Sequence, residues 1–265
     1  MREGTSQARV HPLAQTLFRA VAGEGLRSRL RRGEQSTELT ATALSLAPGR
    51  SIDYAIAGEE SVCVLLQGSG TMAAGVERWS VSRDGPFSTM ATAIWLPPAV
   101  ALRLETVAGL EAFIVSTPAP DGGTPTLVGA ADVVAEERGQ QGCRRTVCHL
   151  FTSDPFAKRL IVGETIVDGG NWASFPPHKH DGLDGEPALE ELYFYRLEPS
   201  TGFAHQMLYS NGHDAVVHVV RDDDLVLIPY GYHPLSIPPG HRLYYLWALA
   251  GNQRSLQTFT DPAFR

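Results

Sequence analysis

Three short strings carry the side chains with the most chemistry to offer: Phe175-Pro-Pro-His178-Lys-His180-Asp-Gly, Leu189-Glu190-Glu191-Leu-Tyr193-Phe-Tyr195 and Ile228-Pro-Tyr-Gly-Tyr-His233-Pro. Pro176-Pro177 disfavours a helix, so the His-x-His pair is expected to be extended. In a strand, residues i and i+2 share a face about 6.5 Å apart along the chain. Both imidazoles then point inward and Lys179 points to the opposite face. A carboxylate from the next strand and a third imidazole from a later one would complete three nitrogens and one oxygen. Such a set leaves positions open for water or substrate, as a catalytic metal requires. The bland alternative, unrelated turn histidines, is weakened by the Glu-bearing strand and the Pro-x-Gly-x-His turn that follow. Of nine histidines, His11 alone precedes His149, and seven lie between His178 and His241. Metal or proton chemistry is therefore expected in the second half of the chain.

Neighbouring residues sort by strand parity. Tyr193 and Tyr195 share the face of Glu191, which offers a phenol near the metal. Glu190 points the other way and is read as a solvated carboxylate. Gln206 alternates with Ala204 and Leu208, a face that could line a barrel. Its amide either binds a sugar hydroxyl or carboxylate, or is a core amide satisfied by backbone. His205 and His218 are read as structural. Cys143 and Cys148, the latter beside His149, fit no zinc spacing and are read as buried thiols. Arg144-Arg145 is read as exposed, with pairing to a substrate carboxylate as the other option. Asp222-Asp-Asp224 is read as a solvated turn.

The elements that must position these residues are short strands punctuated by glycine and proline. Residues 39–46 alternate and stop at Pro48-Gly49; 62–66 stop at Gly68-Ser-Gly70, and 93–96 at Pro97-Pro98. Strands at 102–106 and 112–115 follow. The second half repeats the texture at 160–167, 192–198, 203–209 (closing at Asn211-Gly212), 216–220, 225–228 and 243–249. This spacing predicts a sandwich or barrel, and the lack of strand–helix alternation excludes a doubly wound α/β fold. A short helix is expected around 13–30. The stretch 118–129, with Asp121-Gly-Gly and further prolines, reads as a linker. Residues 1–38 are then an N-terminal extension, 39–125 one β-unit and 126–265 another.

Composition narrows the partners. A net charge of −7 over 265 residues, without a basic stripe, excludes a nucleic-acid binder. Arg27, Arg29, Arg31 and Arg32 form the one basic cluster, read as solvated. No apolar run approaches the ~20 residues of a membrane span. Three cysteines fit a reduced compartment. A cytoplasmic protein acting on a small molecule is the expectation, with self-association into a homo-oligomer left open.

The same strings resemble a cupin, and more closely the 5-deoxyglucuronate isomerase family of bacterial inositol catabolism. The resemblance rests on Gly169-Gly-Asn-Trp172-Ala-Ser-Phe-Pro-Pro-His-Lys-His-Asp181, Leu189-Glu-Glu-Leu-Tyr-Phe-Tyr-Arg196, Gly202-Phe-Ala-His-Gln206, Pro229-Tyr-Gly-Tyr-His-Pro234 and Leu243-Tyr-Tyr-Leu246 with Ala250-Gly251. It implies an all-β bicupin of two double-stranded β-helix (jelly-roll) barrels, with a metal site only in the C-terminal one. The implied ligands are His178, His180, Glu191 and His233. The implied cofactor is one divalent ion, Zn²⁺ first, with Mn²⁺ or Fe²⁺ as alternatives. The implied reaction is aldose–ketose isomerisation of 5-deoxy-D-glucuronate, a sugar acid, to 2-deoxy-5-keto-D-gluconate, with no redox cofactor. The base is left among a hydroxide at the metal, Glu191 and a pocket tyrosine; Gln206, Tyr193 and Tyr195 are candidate substrate contacts. The chain departs from the family pattern at Asp224, Trp247, Asn252 and Leu256, none of them a proposed ligand. Rival readings are an isomerase of another uronate, an iron-dependent cupin dioxygenase, and a sugar-acid binder without turnover. Residues 39–118 contain no histidine, so the first unit is expected to be a packing partner without metal or catalytic residue.

Overall fold

Strands pair into two large sheets in the computed structural model, which describes residues 12–210 and 215–265. The first sheet runs in the order Thr126–Val128, Thr92–Leu96, Glu59–Ala74, Leu110–Pro118, Thr40–Leu46, Gly25–Leu30; Ser51–Tyr54, Glu77–Arg83 and Leu102–Glu105 attach beside it. The second runs Leu17–Phe18, Leu225–Ile228, Leu189–Glu198, Arg242–Gly251, Ile161–Asp168, Arg145–Phe151, Val134–Arg138. A smaller sheet of Trp172–Ala173, Leu235–Ser236, Ala204–Leu208 and Val216–Val220 closes the second unit. The architecture is the all-β bicupin. The turn expected at Asn211-Gly212 lies outside the described residues.

Three apolar clusters hold these sheets. One fills the first barrel, around Leu44, Leu65, Met72, Leu104 and Ile114. One fills the second, around Tyr193, Tyr195, Leu208, Ile228 and Tyr245. The third joins them: Val62, Val64, Trp95 and Phe113 of the first sheet pack on Leu192, Phe194, Leu225 and Leu246 of the second, with Phe113 and Phe194 stacked at 4.2 Å. The Leu189–Glu198 strand is thus covered on both faces, and its residues are buried up to Tyr195. Continuous burial of this kind is what a central strand between two layers requires.

Buried polar groups cross the same seam. Glu190 accepts hydrogen bonds from the Ser36 hydroxyl and from the backbone N–H groups of Thr37, Glu38 and Leu39 at 2.9, 3.1 and 3.2 Å. Glu60 accepts in return from Lys158, Arg159 and Leu160 N–H at 2.8, 2.6 and 2.7 Å, and from Trp95 Nε1 at 3.0 Å. Arg83 forms a two-pronged pair with Glu164 at 2.8 and 2.9 Å, both side chains 1% exposed, and Tyr244 donates to the same carboxylate.

Several expectations are corrected here. Residues 13–30 form a 3₁₀ turn at Leu13–Gln15 and strands at Leu17–Phe18 and Gly25–Leu30, not a helix. Strand pairing with Leu225–Val226 and with the Thr40–Leu46 strand overrides local propensity. Residues within 1–38 are therefore built into both sheets and are not a separate extension. Thr126–Val128 pairs with Thr92–Leu96, so the first sheet reaches past residue 125. Glu190 is buried, not solvated. So is Arg29, which donates to Arg19 O and Asp223 O. Asp224 is buried and accepts from Arg19 and from the Ala20 and Arg221 N–H groups. Lys179 lies opposite the imidazoles as expected, but buried among Asp181, Asp184 and Glu186.

Candidate metal centre

His180, Glu191 and His233 come from three separate segments, and one ligand atom from each lies within 4.8 Å of the others. Glu191 is placed by its strand, opposite Ile228 on one side and Leu249 on the other. His180 follows the short His178–Lys179 strand, which pairs with Phe259–Thr260. His233 is set by the Pro229-Tyr-Gly-Tyr turn. There Gly231 adopts φ +83°, and a Cβ would come 2.4 Å from Tyr209 O, so only glycine fits. Asp181 accepts the Gly231 N–H at 3.1 Å, tying that turn to the histidine segment. Ser174, buried upstream of the pair, is itself in the left-handed region at φ +48°. Local backbone strain of this sort persists where the surroundings over-determine it, and it clusters at functional sites.

The proton positions follow from the backbone. His180 Nδ1 lies 3.0 Å from Leu189 O, His233 Nδ1 3.1 Å from Gly231 O, and His178 Nδ1 3.2 Å from Pro176 O. A carbonyl can only accept, so each Nδ1 carries a proton. His178 and His233, held neutral, are left with a lone pair on Nε2. His180 is favoured in its charged form, and its Nε2–H donates to Glu191. The Nε2 atoms of His180 and His233 both face the same carboxylate oxygen, Glu191 Oε2, at 2.9 and 3.3 Å. At His233 two acceptors are opposed, a repulsion that a bound cation would relieve. His233 Nε2 is buried with no hydrogen-bond partner. An orphaned imidazole nitrogen beside a buried carboxylate is the donor set a divalent metal would satisfy, and carbonyl-pinned Nδ1 groups are what orient such ligands. His178 stands beside this set, its ring 4.7 Å from that of His233, and is not one of the three.

Burial sets the ionisation. Burial and the neighbouring imidazoles hold His233 well below the usual histidine range, and burial with His180 lowers His178 to about 4. Burial pushes the Glu191 carboxyl up, and pushes the Tyr193 phenol well up with Glu191 adding to it. For His180, burial alone would lower the pKa, but the Glu191 carboxylate outweighs it and the net shift is upward.

His178, His180 and Glu191 line a cavity of about 350 Å³, together with Arg138, Arg145, His149, Tyr193, Tyr245 and Trp247; His233 is buried behind it. That is the size range of small-molecule sites. Tyr193 is in the wall, with its hydroxyl 2.8 Å from Ser174 Oγ. Tyr195 and Gln206 are not. The Tyr195 hydroxyl donates to Gln206 Oε1 at 2.9 Å, and Gln206 Nε2 donates to His233 O at 2.7 Å. This corrects their reading as substrate contacts: they fix the turn that carries His233. His218 lies away from the cavity, against Leu13 O and Thr16. In sequence, Arg145 reads as exposed, with substrate pairing as the other option, and His149 has no place at a cavity, because the Arg145–Phe151 strand lacks a clear apolar alternation. The signal was present in its parity, which puts Arg145, Val147 and His149 on one face.

Comparison with known proteins agrees with this architecture. The sequence profile described as the KduI/IolB family matches residues 27–265. A 5-deoxy-glucuronate isomerase of Geobacillus kaustophilus is 31% identical over 228 residues, 82% of this chain and 81% of that one. That of Bacillus subtilis strain 168 is 41% identical over 141 residues, 52% of each chain. The crystal structure of an IolB-like protein from Salmonella typhimurium LT2 superposes with a TM-score of 0.90 at 26% identity, covering 95% of this chain and 98% of that one. Oxalate decarboxylase from Lactobacillus farciminis shares the fold, with a TM-score of 0.66 at 12% identity over 92% of this chain and 86% of that one.

Proposed function

Since the chain belongs to the KduI/IolB family, we propose that it is a metal-dependent aldose–ketose isomerase. Its substrate is 5-deoxy-D-glucuronate and its product 2-deoxy-5-keto-D-gluconate, a step of inositol catabolism. The observation that carries this reading is the buried, unpartnered His233 Nε2 beside the Glu191 carboxylate that His180 also faces. A divalent cation would satisfy that nitrogen and the carboxylate together. His180, Glu191 and His233 would hold it, with His178 as the fourth donor.

Isomerisation moves a hydrogen between C2 and C1 and interchanges a carbonyl with a hydroxyl. A divalent ion, when bound, polarises the carbonyl oxygen and makes the neighbouring C–H more acidic. Zn²⁺ suits three imidazoles and a carboxylate, and Mn²⁺ or Fe²⁺ can use the same set. The chain supplies the rest. Carbonyl-pinned imidazoles keep the donor atoms from rotating away. Glu191, by releasing the ion, would take a proton at a substrate carbon and return it at the next. Tyr193, buried and held neutral, donates its hydroxyl proton in a hydrogen bond and orients a substrate oxygen. Gln206 and Tyr195 keep the His233 turn in place from behind.

The test is elemental analysis of purified protein, followed by NMR of 5-deoxy-D-glucuronate incubated with it in D₂O. Stoichiometric transition metal and conversion to the ketose are expected. Protein that carries a metal, consumes O₂ and produces no ketose would sink the reading.

A further inference from the structure

Arg138 and Arg145 are direct cross-strand partners at the end of the Val134–Arg138 and Arg145–Phe151 ladder. Like charges directly opposite one another destabilise a sheet, so an unforced position would not choose this pair. Both line the cavity that holds His178, His180 and Glu191. Arg138 has an acidic neighbour in Glu136, two residues away on its own strand. Arg145 has no carboxylate partner among the described residues, and its Nη1 donates to Cys143 O at 3.0 Å. The loop joining the strands is shaped around that contact. At Gly139, which adopts φ +81°, a Cβ would lie 2.1 Å from Cys143 O and 3.0 Å from Arg145 Nη1. The Arg145 guanidinium is thus anchored at one nitrogen, half-buried and without a counter-ion, in the wall facing the histidines. Its remaining N–H groups form the planar fork that matches a carboxylate.

We propose that Arg145, assisted by Arg138, is the carboxylate-recognition site of this cavity and makes the enzyme select sugar acids over neutral aldoses. This rests on the isomerase reading: the sugar's carbonyl end lies at His180, Glu191 and His233, and its carboxylate at the other end reaches the arginine pair. The carboxylate also relieves the repulsion between the two guanidinium groups, so binding and local stability gain together.

The test uses Arg145→Gln, Arg145→Lys and Arg138→Gln in the full chain, with metal content and thermal melts checked for each. Steady-state kinetics are compared on 5-deoxy-D-glucuronate and on its neutral counterpart 5-deoxy-D-glucose. Calorimetric binding of D-glucuronate supplies a readout without turnover. Losing a charge-assisted hydrogen-bond pair predicts that Arg145→Gln raises KM for the uronate about 10- to 100-fold. The loss on the neutral sugar should be at least about tenfold smaller. Arg145→Lys, which keeps the charge but not the fork, should fall between wild type and Arg145→Gln, and Arg138→Gln should show the smaller effect. An equal loss on both sugars, or an unchanged KM for the uronate, would overturn the assignment. If wild type converts neither sugar, the isomerase reading fails by itself. Calorimetry then decides the arginine site: binding to wild type but not to Arg145→Gln supports it, and equal binding or none overturns it. Should Arg145→Gln not fold, Arg145→Lys and Arg138→Gln carry the same comparison.

Discussion

The two barrels share one strand register and use it differently. In the first, Glu59–Ala74 runs between Thr92–Leu96 and Leu110–Pro118; in the second, Leu189–Glu198 runs between Leu225–Ile228 and Arg242–Gly251. Ser61 pairs with Leu96 and Ser116, as Glu191 pairs with Ile228 and Leu249. Stepping along both strands, Val62 and Val64 match Leu192 and Phe194 in the seam, while Cys63 and Leu65 match Tyr193 and Tyr195 inside the barrels. Glu60 matches Glu190, and each accepts backbone N–H groups from the opposite unit. The difference falls on the next residue. Glu191 meets two imidazoles, whereas Ser61 bonds Ser116 Oγ at 2.8 Å, which in turn lies 3.0 Å from the Tyr54 hydroxyl. Burial pushes the Cys63 thiol up to about 12, so it is no reactive substitute. Adjacent residues on opposite faces of one strand thus serve the seam and the candidate metal centre.

That division can be broken at several strengths. Removing residues 1–125 should have the largest effect: it uncovers the apolar face of Leu192, Phe194 and Leu225, and the remaining fragment should be found in the insoluble fraction. A soluble, fully active fragment would show that the seam is dispensable. Next, His180→Ala and His233→Ala should each abolish bound metal and turnover while circular dichroism stays native. Retention of stoichiometric metal in either variant would remove that residue from the ligand set.

Changes within the seam should act on stability and not on metal. Arg83→Met leaves Glu164 buried without its cation, at a cost of about 3–5 kcal/mol read from denaturant midpoints; adding Glu164→Leu should recover most of it. Glu60→Gln and Glu190→Gln should each cost about 1.5–3 kcal/mol and leave metal content unchanged. Glu191→Gln should do the reverse, losing metal while the stability measured in metal-free buffer changes little; swapped phenotypes for Glu190 and Glu191 would shift the register by one residue. Smallest of all, Ser61→Ala should cost about 1 kcal/mol and leave kcat and KM unaltered.

The barrel strands were legible because alternation and Gly/Pro punctuation report directly on which face is buried. The Val134–Arg138 edge, almost wholly exposed, has no such alternation, and neither it nor Glu77–Arg83 was anticipated. The helix expected at 13–30 ignored Gly23 and Gly25, which adopt φ +138° and +82°. The metal strings could be read locally because His-x-His, Glu191 and the His233 turn each carry their own signal. The role of Glu190 could not, since its donors are backbone groups of residues 37–39, more than 150 positions away. Tyr195 and Gln206 have the right parity for the barrel interior, but parity cannot tell a cavity wall from the layer behind it.

The seam has a thermodynamic consequence for the first barrel. Because the cluster joining the units draws its side chains from both, neither barrel can unfold without stripping the other of half its core. Unfolding should then be a single cooperative transition. A ligand that binds only the native state stabilises by RT ln(1 + [L]/Kd), about 2.7 kcal/mol when its concentration is 100 times Kd. Occupancy at His180, Glu191 and His233 is therefore felt by the whole chain. An ion bound there would protect the first barrel without touching it, and hydrogen exchange in the Thr40–Leu46 and Leu110–Pro118 strands should slow when the distant site is filled.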